Sequence, residues 1–350
     1  MKLSDPSQLL PGLPERSKIL IVRLRSLGDL VLETPAISGL REWRPDLQIS
    51  VLVEPRFAAV FEGNREISEI ISSGRFSPTV KELRRREFSV AYNQHGGPRS
   101  ALLTAASGAN VRVGWKGYQF SLAYNVRVPD VPEFYGAPIV HAVEHRISQF
   151  YATGLPRGPI PRAQVFPQAD ALSAVRTALA EGGLEPGTRY AVLQPGARLQ
   201  LMRWPLEKFA SVAAWLREEY KIISVVNLGP GDAEIWAAAH RLMRHCILIP
   251  RPLALRELIA LIAEARIFVG NDSGPIHIAA AAGRPIVALY GPTNPAQWHP
   301  WQAEYRAFHT GALFHPTRGD KSMAESEPRP IASIMVEEVV NACDALLREN

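Results

Sequence analysis

Short runs of β-branched and apolar residues alternate along this chain with segments whose apolar positions repeat at helical spacing, the pattern of parallel strands wrapped by helices. In the first half, 18–24, 48–53 and 88–93 read as strands, with a single helix at about 29–43 after the first. A second series starts near residue 190 with Tyr-Ala-Val-Leu-Gln-Pro, continues through 222–228 and 246–249, and ends with 266–269 and 285–290. Between the two lies a proline-rich passage, 153–163, whose composition resists packing and marks a linker. The pattern predicts an α/β protein of two parallel-sheet domains, 1–160 and 161–330. Val336, Val339, Val340, Cys343, Leu346 and Leu347 predict a closing amphipathic helix within 331–350, able to pack on either domain.

One stretch of this pattern carries the most chemistry. The β-branched run 267–269 stops at Gly270, and an alanine-rich helix starts within five residues, so its unpaired N–H groups open toward the carboxyl edge of a parallel sheet. Such an edge binds anions. Asp272, Ser273 and His277 flank the same turn and add hydroxyl partners beside a phosphate-friendly backbone, which suits a sugar on a diphosphate better than a bare phosphate.

Composition narrows the picture. At 350 residues and 47% hydrophobic the chain can bury two ordinary cores. Before residue 165 there are 21 basic and 15 acidic residues and after it 18 and 19, so the formal +5 belongs to the first half. A basic domain beside a near-neutral one points to an anionic partner or to a merely soluble basic face. The aromatics are not interleaved with the charges, which argues against nucleic acid. Cys246 and Cys343, far apart in apolar segments, offer neither a disulfide framework nor zinc spacing, as in a reducing cytoplasm. No apolar stretch reaches the ~18 residues of a membrane helix and the N-terminus lacks a signal h-region, so a soluble or at most peripheral protein is expected.

Gly28-Asp29 sits at the turn from the first strand into the first helix, with Thr34-Pro35 inside that helix; Asp29 there is either an N-cap or a carboxylate offered at the sheet edge. With Gly-Asp-x-x-Leu-x-Thr-Pro-Ala at 28–36, Val-Leu-Val-Glu-Pro at 51–55, His-Gly-Gly at 95–97, Gln-Pro-Gly-Ala at 194–197, Arg-Trp-Pro at 203–205, Gly-Pro-Gly-Asp at 229–232 and Gly-Asn-Asp-Ser-Gly-Pro-x-His at 270–277, the chain resembles the lipopolysaccharide heptosyltransferases, glycosyltransferase family nine. The seven segments keep family order and spacing over nearly the whole chain.

The resemblance implies a GT-B type fold, two Rossmann-like domains facing across a cleft, and an inverting, metal-free transfer of heptose. The donor would be ADP-L-glycero-D-manno-heptose and the acceptor a Kdo or heptose hydroxyl of an anionic glycolipid. The enzyme would be cytoplasmic and within reach of the inner-membrane surface. Asp29 would be the general base, its pKa raised in a partly dry cleft. The donor would be held by Gly196, Ala197, Arg198, Arg203, Asp232 or Glu234, the backbone near Leu253, Asp272, His277 and the N–H groups around Ser273, Gly274 and Pro275. Read without the resemblance, His277 is a helix histidine and Asp232 a turn cap. Arg23, Arg25, Arg56, Arg99, Arg127, Arg146 and His95 are the acceptor-side candidates, and Arg84-Arg85-Arg86 reads as surface charge or a membrane contact.

The chain departs from the family at Met202, where relatives carry a phosphate-contacting lysine before the Arg-Trp-Pro triplet. Arg203 or Arg198 takes over that charge, or donor affinity falls, or the chain binds nucleotide sugars without turning them over. Trp204 reads as core packing. His309 and His315 stand near where relatives carry cysteines and read as loop residues, not metal ligands. Another nucleotide-sugar donor or another acceptor on the same fold remains the alternative reading.

Overall fold

A computed structural model describes residues 5–229, 231–249, 251–310 and 330–349. The chain divides into two compact units, 1–166 and 167–350. In the first, β1 (Lys18–Val22), β2 (Gln48–Val53), β3 (Glu69–Ser72), β4 (Val90–Asn93), β5 (Val111–Trp115) and β6 (Val126–Val128) form one parallel sheet in the order β3-β2-β1-β4-β5-β6. In the second, β7 (Tyr190–Gln194), β8 (Ile223–Val226), β9 (Ile247–Leu248), β10 (Ile267–Asn271), β11 (Ile286–Tyr290) and β12 (Tyr305–His309) pair in the order β12-β11-β10-β7-β8-β9, again all parallel.

Counted within each unit, both sheets have the strand order 3-2-1-4-5-6 of the Rossmann fold. The order reverses between β1 and β4 in one and between β7 and β10 in the other, the switch points at whose carboxyl ends doubly wound sheets bind their ligands. The residues that the sequence singled out follow these four strands: Arg23 and Asp29 after β1, His95 after β4, Gly196 after β7 and Asp272 at the end of β10.

The central strands are buried on both faces, as near-continuous apolar runs require. Four strands were not anticipated, β3, β5, β6 and β12. Three of these are sheet edges, where half-exposed Glu69 and Arg306 and exposed Arg127 break up the apolar run.

The helix expected at about 29–43 is two helices, Leu27–Val31 and Thr34–Trp43. Pro35 accounts for the break. It has no N–H to donate and disfavours helical backbone before it, but fits the first turn of a new helix. Thr34-Pro35 therefore starts the second helix instead of lying within the first.

The closing helix Val336–Glu349 packs on helix Leu206–Tyr220 and on β11, within the second unit. Trp204 ties this arrangement together, 2% exposed, its indole N–H donating to the Ile334 carbonyl at 3.0 Å. Lys208 reaches the carbonyls of Ala332 and Ile334 at 2.7 and 2.8 Å. Trp204→Ala removes both the packing and the indole bond and should lower the stability of this unit by about 3–5 kcal/mol, read as a shifted denaturant midpoint in urea.

Candidate active site

In the first unit the ladder continues past the strands. Arg23 N donates to Leu52 O at 3.1 Å and Gln94 N to Val22 O at 3.1 Å, which fixes the backbone that carries the site. Asp29 lies in the first turn of helix Leu27–Val31, and its carboxylate is the meeting point of two buried guanidinium groups. Arg23 Nη2 stands 2.5 Å from Oδ1, Arg146 Nη2 donates to the same oxygen, and Ser26 Oγ donates to Oδ2 at 2.8 Å. Arg23 also donates to the Gln94 carbonyl, and Arg146 Nη1 lies 2.7 Å from His145 Nδ1. Gln94 Nε2 donates to Arg146 O at 3.1 Å, so β1, β4 and helix Ala142–Tyr151 are bound into one cluster.

The electrostatics differ from the sequence expectation. Burial raises the Asp29 pKa, but Arg23 and Arg146 outweigh it, with the Ser26 hydroxyl helping, and the carboxyl ends well below the usual carboxylate range. Asp29 is therefore ionised throughout the physiological range. Its side chain keeps 17% of its surface exposed, enough to be touched by a ligand.

Around it, burial together with Arg23 and Arg25 lowers His95 to about 4, so its imidazole is neutral. His145, stacked on Trp115 at 4.4 Å, is likewise held well below the usual imidazole range by burial and Arg146. The His95 turn is built by Asn93, whose Oδ1 accepts from His95 N and Gly96 N at 2.9 and 3.0 Å. Gly96 has φ +76° and no room for a Cβ, which would lie 2.4 Å from the Tyr118 ring.

Of the acceptor-side candidates, Arg23 and Arg146 converge on Asp29 and His95 lies in their field. Arg25 is exposed but its charge and its backbone both reach His95. The others stand apart: Arg56 pairs with Glu54 at 2.9 Å, Arg99 donates to Ser73 and Gly74, and Arg127 is exposed on edge strand β6. Arg85 and Arg86 of the arginine run pair with Glu82 and Glu69, and Arg84 donates to Ala106 O. Much of that charge is spent within the unit. Sequence reasoning missed Glu33, Gln94, Tyr118 and His145. For Glu33 a signal existed, a carboxylate four residues after Asp29 in an otherwise apolar run.

In the second unit the polar pins are neutral. Asn271 donates to Pro195 O at 2.7 Å and accepts from Trp204 N at 3.0 Å, and Asn227 donates to Gln194 Oε1. Asp232 Oδ2 accepts from Gly229 N at 2.8 Å, and the turn packs so closely on Gly196 that a Cβ there would come within 2.2 Å of that oxygen. Arg203 Nε donates to Ala197 O at 2.8 Å, with Nη2 3.7 Å from Asp232, while Arg198 is exposed. Leu228, Gly229, Asp232, Ala233, Trp236, Arg251 and Pro252 line a cavity of about 250 Å³, a little below the roughly 300 Å³ at which drug-sized ligand sites begin. Its wall reaches Arg251 and Pro252, adjoining the expected Leu253, and Glu234 lines a neighbouring cavity.

Ser273 is the N-cap of helix Gly274–Ala281, and His277 is buried inside it, its ring centroid 6.5 Å from that of Trp298. Pro275, in the first turn, has no N–H, so the amides at this turn are those of Ser273 and Gly274. Asp272 is raised to about 6 by burial, against a hydrogen bond from Thr293. Among the described residues no group of three His, Cys, Asp or Glu side chains is arranged to hold a metal, and no helix is long and apolar enough to cross a membrane. His309 ends β12. His315 and Pro230 lie outside the described residues.

The model of glycosyltransferase family 9 (heptosyltransferase) matches residues 78–325. The chain belongs to that family. It is 27% identical to lipopolysaccharide heptosyltransferase 3 of Escherichia coli over 93% of this chain and 97% of the relative. Among solved structures it is similar to the E. coli ADP-heptose lps heptosyltransferase II, at 26% identity and TM-score 0.77, covering 95% of this chain and 99% of that one. A family 9 glycosyl transferase from Veillonella parvula DSM 2008 superposes with TM-score 0.84 at 23% identity, over 97% and 99% of the two chains. This family member is thus a glycosyltransferase with two Rossmann-like sheets of the GT-B kind.

A check on the second unit follows from Asp272. Its folded pKa, about 6, lies above the unfolded 3.8, so its stabilising contribution is complete below about pH 4 and is lost as pH rises through 6. Asp272→Asn should therefore gain melting temperature on the parent between pH 4 and 8, and a pH-independent difference between the two would refute the assignment.

Proposed function

We propose that this glycosyltransferase moves L-glycero-D-manno-heptose from its ADP-linked donor to a Kdo or heptose hydroxyl of a lipopolysaccharide inner core, with inversion and without a metal. The observation that carries the reading is the clamped carboxylate: Asp29, held ionised by Arg23 and Arg146 at the strand-order reversal of the first sheet. An inverting displacement needs one base and no protein nucleophile. Asp29 is kept in the one protonation state able to accept a proton, and Ser26 fixes its second oxygen. Its low proton affinity is no obstacle, because an alcohol becomes strongly acidic as its oxygen bonds to the anomeric carbon. Proton transfer to Asp29 then comes late, after most of that bond has formed.

Donor binding falls to the second unit in this reading. The nucleoside enters the cavity walled by Leu228, Trp236 and Pro252, with the Asp232 carboxylate accepting from ribose hydroxyls. The Ser273 and Gly274 amides and His277 face the diphosphate, whose charge grows as ADP departs. Arg203 supplies the cation that Met202 does not. The net positive charge of the Arg23–Asp29–Arg146 cluster suits an anionic acceptor such as a Kdo-bearing glycolipid, and the work would be done on the cytoplasmic side, at the inner-membrane surface. The motif similarity and the names of the relatives support the choice of sugar. Met202 favours a second reading, a nucleotide-sugar-binding protein without turnover, and the same experiments separate the two.

Asp29→Asn should abolish transfer while ADP binding by calorimetry stays within about twofold; full turnover by that variant would remove the base assignment. Titration with ADP, UDP and GDP should show ADP binding tightest, and a preference for UDP or GDP would replace the donor. Arg203→Ala should cost roughly 2–4 kcal/mol in kcat/KM, the size expected for losing a cation from a developing phosphate charge.

A further inference from the structure

Glu33 lies four residues after Asp29 and is fully buried, at 0% exposure. It occupies the N-cap position of helix Thr34–Trp43, but its side chain caps nothing there. Neither carboxylate oxygen has a hydrogen-bond partner. Its nearest ion-pair contact is Arg146 Nε at 3.9 Å, and that nitrogen is likewise without a hydrogen bond. One guanidinium thus stands between two carboxylates, gripping Asp29 through Nη2 and facing Glu33 through Nε.

A buried carboxylate left unbonded is expensive to keep, and the fold gives it no structural task as a cap. Yet one of its oxygens, Oε2, lies 3.9 Å from the arginine that grips Asp29. We propose that Glu33 is a positioning residue that sets the proton affinity of Asp29 through the arginine they share. The inference rests on Asp29 being the base.

The charged and titratable groups facing Glu33 come from four elements. Arg23 follows β1, Asp29 lies on helix Leu27–Val31, Arg146 on helix Ala142–Tyr151, and Tyr118 on the segment after β5. Burial raises Glu33, the two arginines lower it, and Asp29 raises it, leaving it at about 7. It therefore changes charge in the working range of a cytoplasmic enzyme, whereas Asp29 does not. When Glu33 is ionised it draws on the field of Arg146, and Asp29 becomes the stronger base. When Glu33 is protonated both arginines act on Asp29 alone, and the base weakens. Glu33 cannot touch the acceptor, since it has no exposed surface, so its effect is confined to the chemical step.

The test compares kcat and KM for the parent, Glu33→Gln and Glu33→Asp between pH 5.5 and 8.5, following ADP release from ADP-heptose with a Kdo–lipid A acceptor. In the parent kcat should rise with an inflection near neutrality. Glu33→Gln should lose that inflection, with kcat lower by roughly three- to tenfold near pH 8, within about twofold near pH 5.5, and an unchanged KM for the donor. Glu33→Asp, which keeps a charge, should keep an inflection at a shifted position. A Glu33→Gln profile with the parent's shape overturns the proposal.

A second measurement needs no acceptor. Because the folded pKa of Glu33 lies above its unfolded value of 4.5, its stability contribution is present below that value and lost as pH rises through about 7. Glu33→Gln should therefore gain melting temperature relative to the parent over that interval, and a constant difference would also overturn the proposal. Asp29→Asn measured alongside keeps the two ideas apart. An active Asp29→Asn defeats the base reading itself, whereas an inactive one beside a parent-like Glu33→Gln profile defeats only the role of Glu33.

Discussion

Three charges are taken out of water together around the Asp29 carboxylate, and the carboxyl edge of the first sheet is organised by that fact. Arg23 and Arg146 are each 6% exposed, and either guanidinium alone at such depth would carry a desolvation cost of several kcal/mol. Their convergence on one carboxylate offsets it, and bonds to the Gln94 carbonyl and the His145 ring satisfy further N–H groups. The ends of β1 and β4 and the helix Ala142–Tyr151 are held in register by charge as well as by packing. A carboxylate fixed in this way is ionised and oriented before any ligand arrives, which is the pre-organisation that electrostatic catalysis draws on.

The second sheet has the same strand order but solves the same corner with neutral groups. Asn271 bridges Pro195 and Trp204 and Asn227 meets Gln194, so the strand ends at the β7–β10 reversal are tied by amides, with Asp272 and the Arg203–Asp232 pair standing in the loops beyond them. In the first sheet, by contrast, two guanidinium groups at the strand ends are committed to the Asp29 carboxylate. One topology therefore supports two different chemistries, decided by the few side chains placed beyond the strand ends.

Those strand ends explain what could and could not be read from the chain. Central strands such as Gln48–Val53 are apolar on both faces and show plainly in the pattern, while β3, β6 and β12 mix exposed and buried positions and do not. The Gly28-Asp29 turn was legible because a strand ends just before it. That Arg146, 117 residues away, would close on the same oxygen was not, because periodicity says nothing about which loops meet. The direction of the Asp29 shift was misjudged for the same reason, since burial alone raises a carboxyl and only the two arginines reverse it. The strand, turn and helix around Gly270 were legible, though Pro275 offers no amide to that turn.

The two halves of the reaction are unequally provided with charge. Arg203 is the cation of the 196–203 loop that is engaged within its own unit, and its guanidinium is shared between the Ala197 carbonyl and Asp232, whose carboxylate is pinned in turn by the Gly229 amide. A cation already facing a carboxylate at 3.7 Å offers a phosphate less than an uncommitted lysine would, unless ribose binding draws Asp232 away from it. Donor and arginine are then coupled. Under the proposed function, a nucleoside that engages Asp232 would compete with Arg203 for that carboxylate and leave the arginine more open to the diphosphate. In the first unit the positive excess is built in and needs no ligand to release it. Under the proposed function, Met202 in place of the family's lysine would then leave stabilisation of the leaving group to a donor-dependent Arg203, while the carboxylate of Asp29 is ionised beforehand.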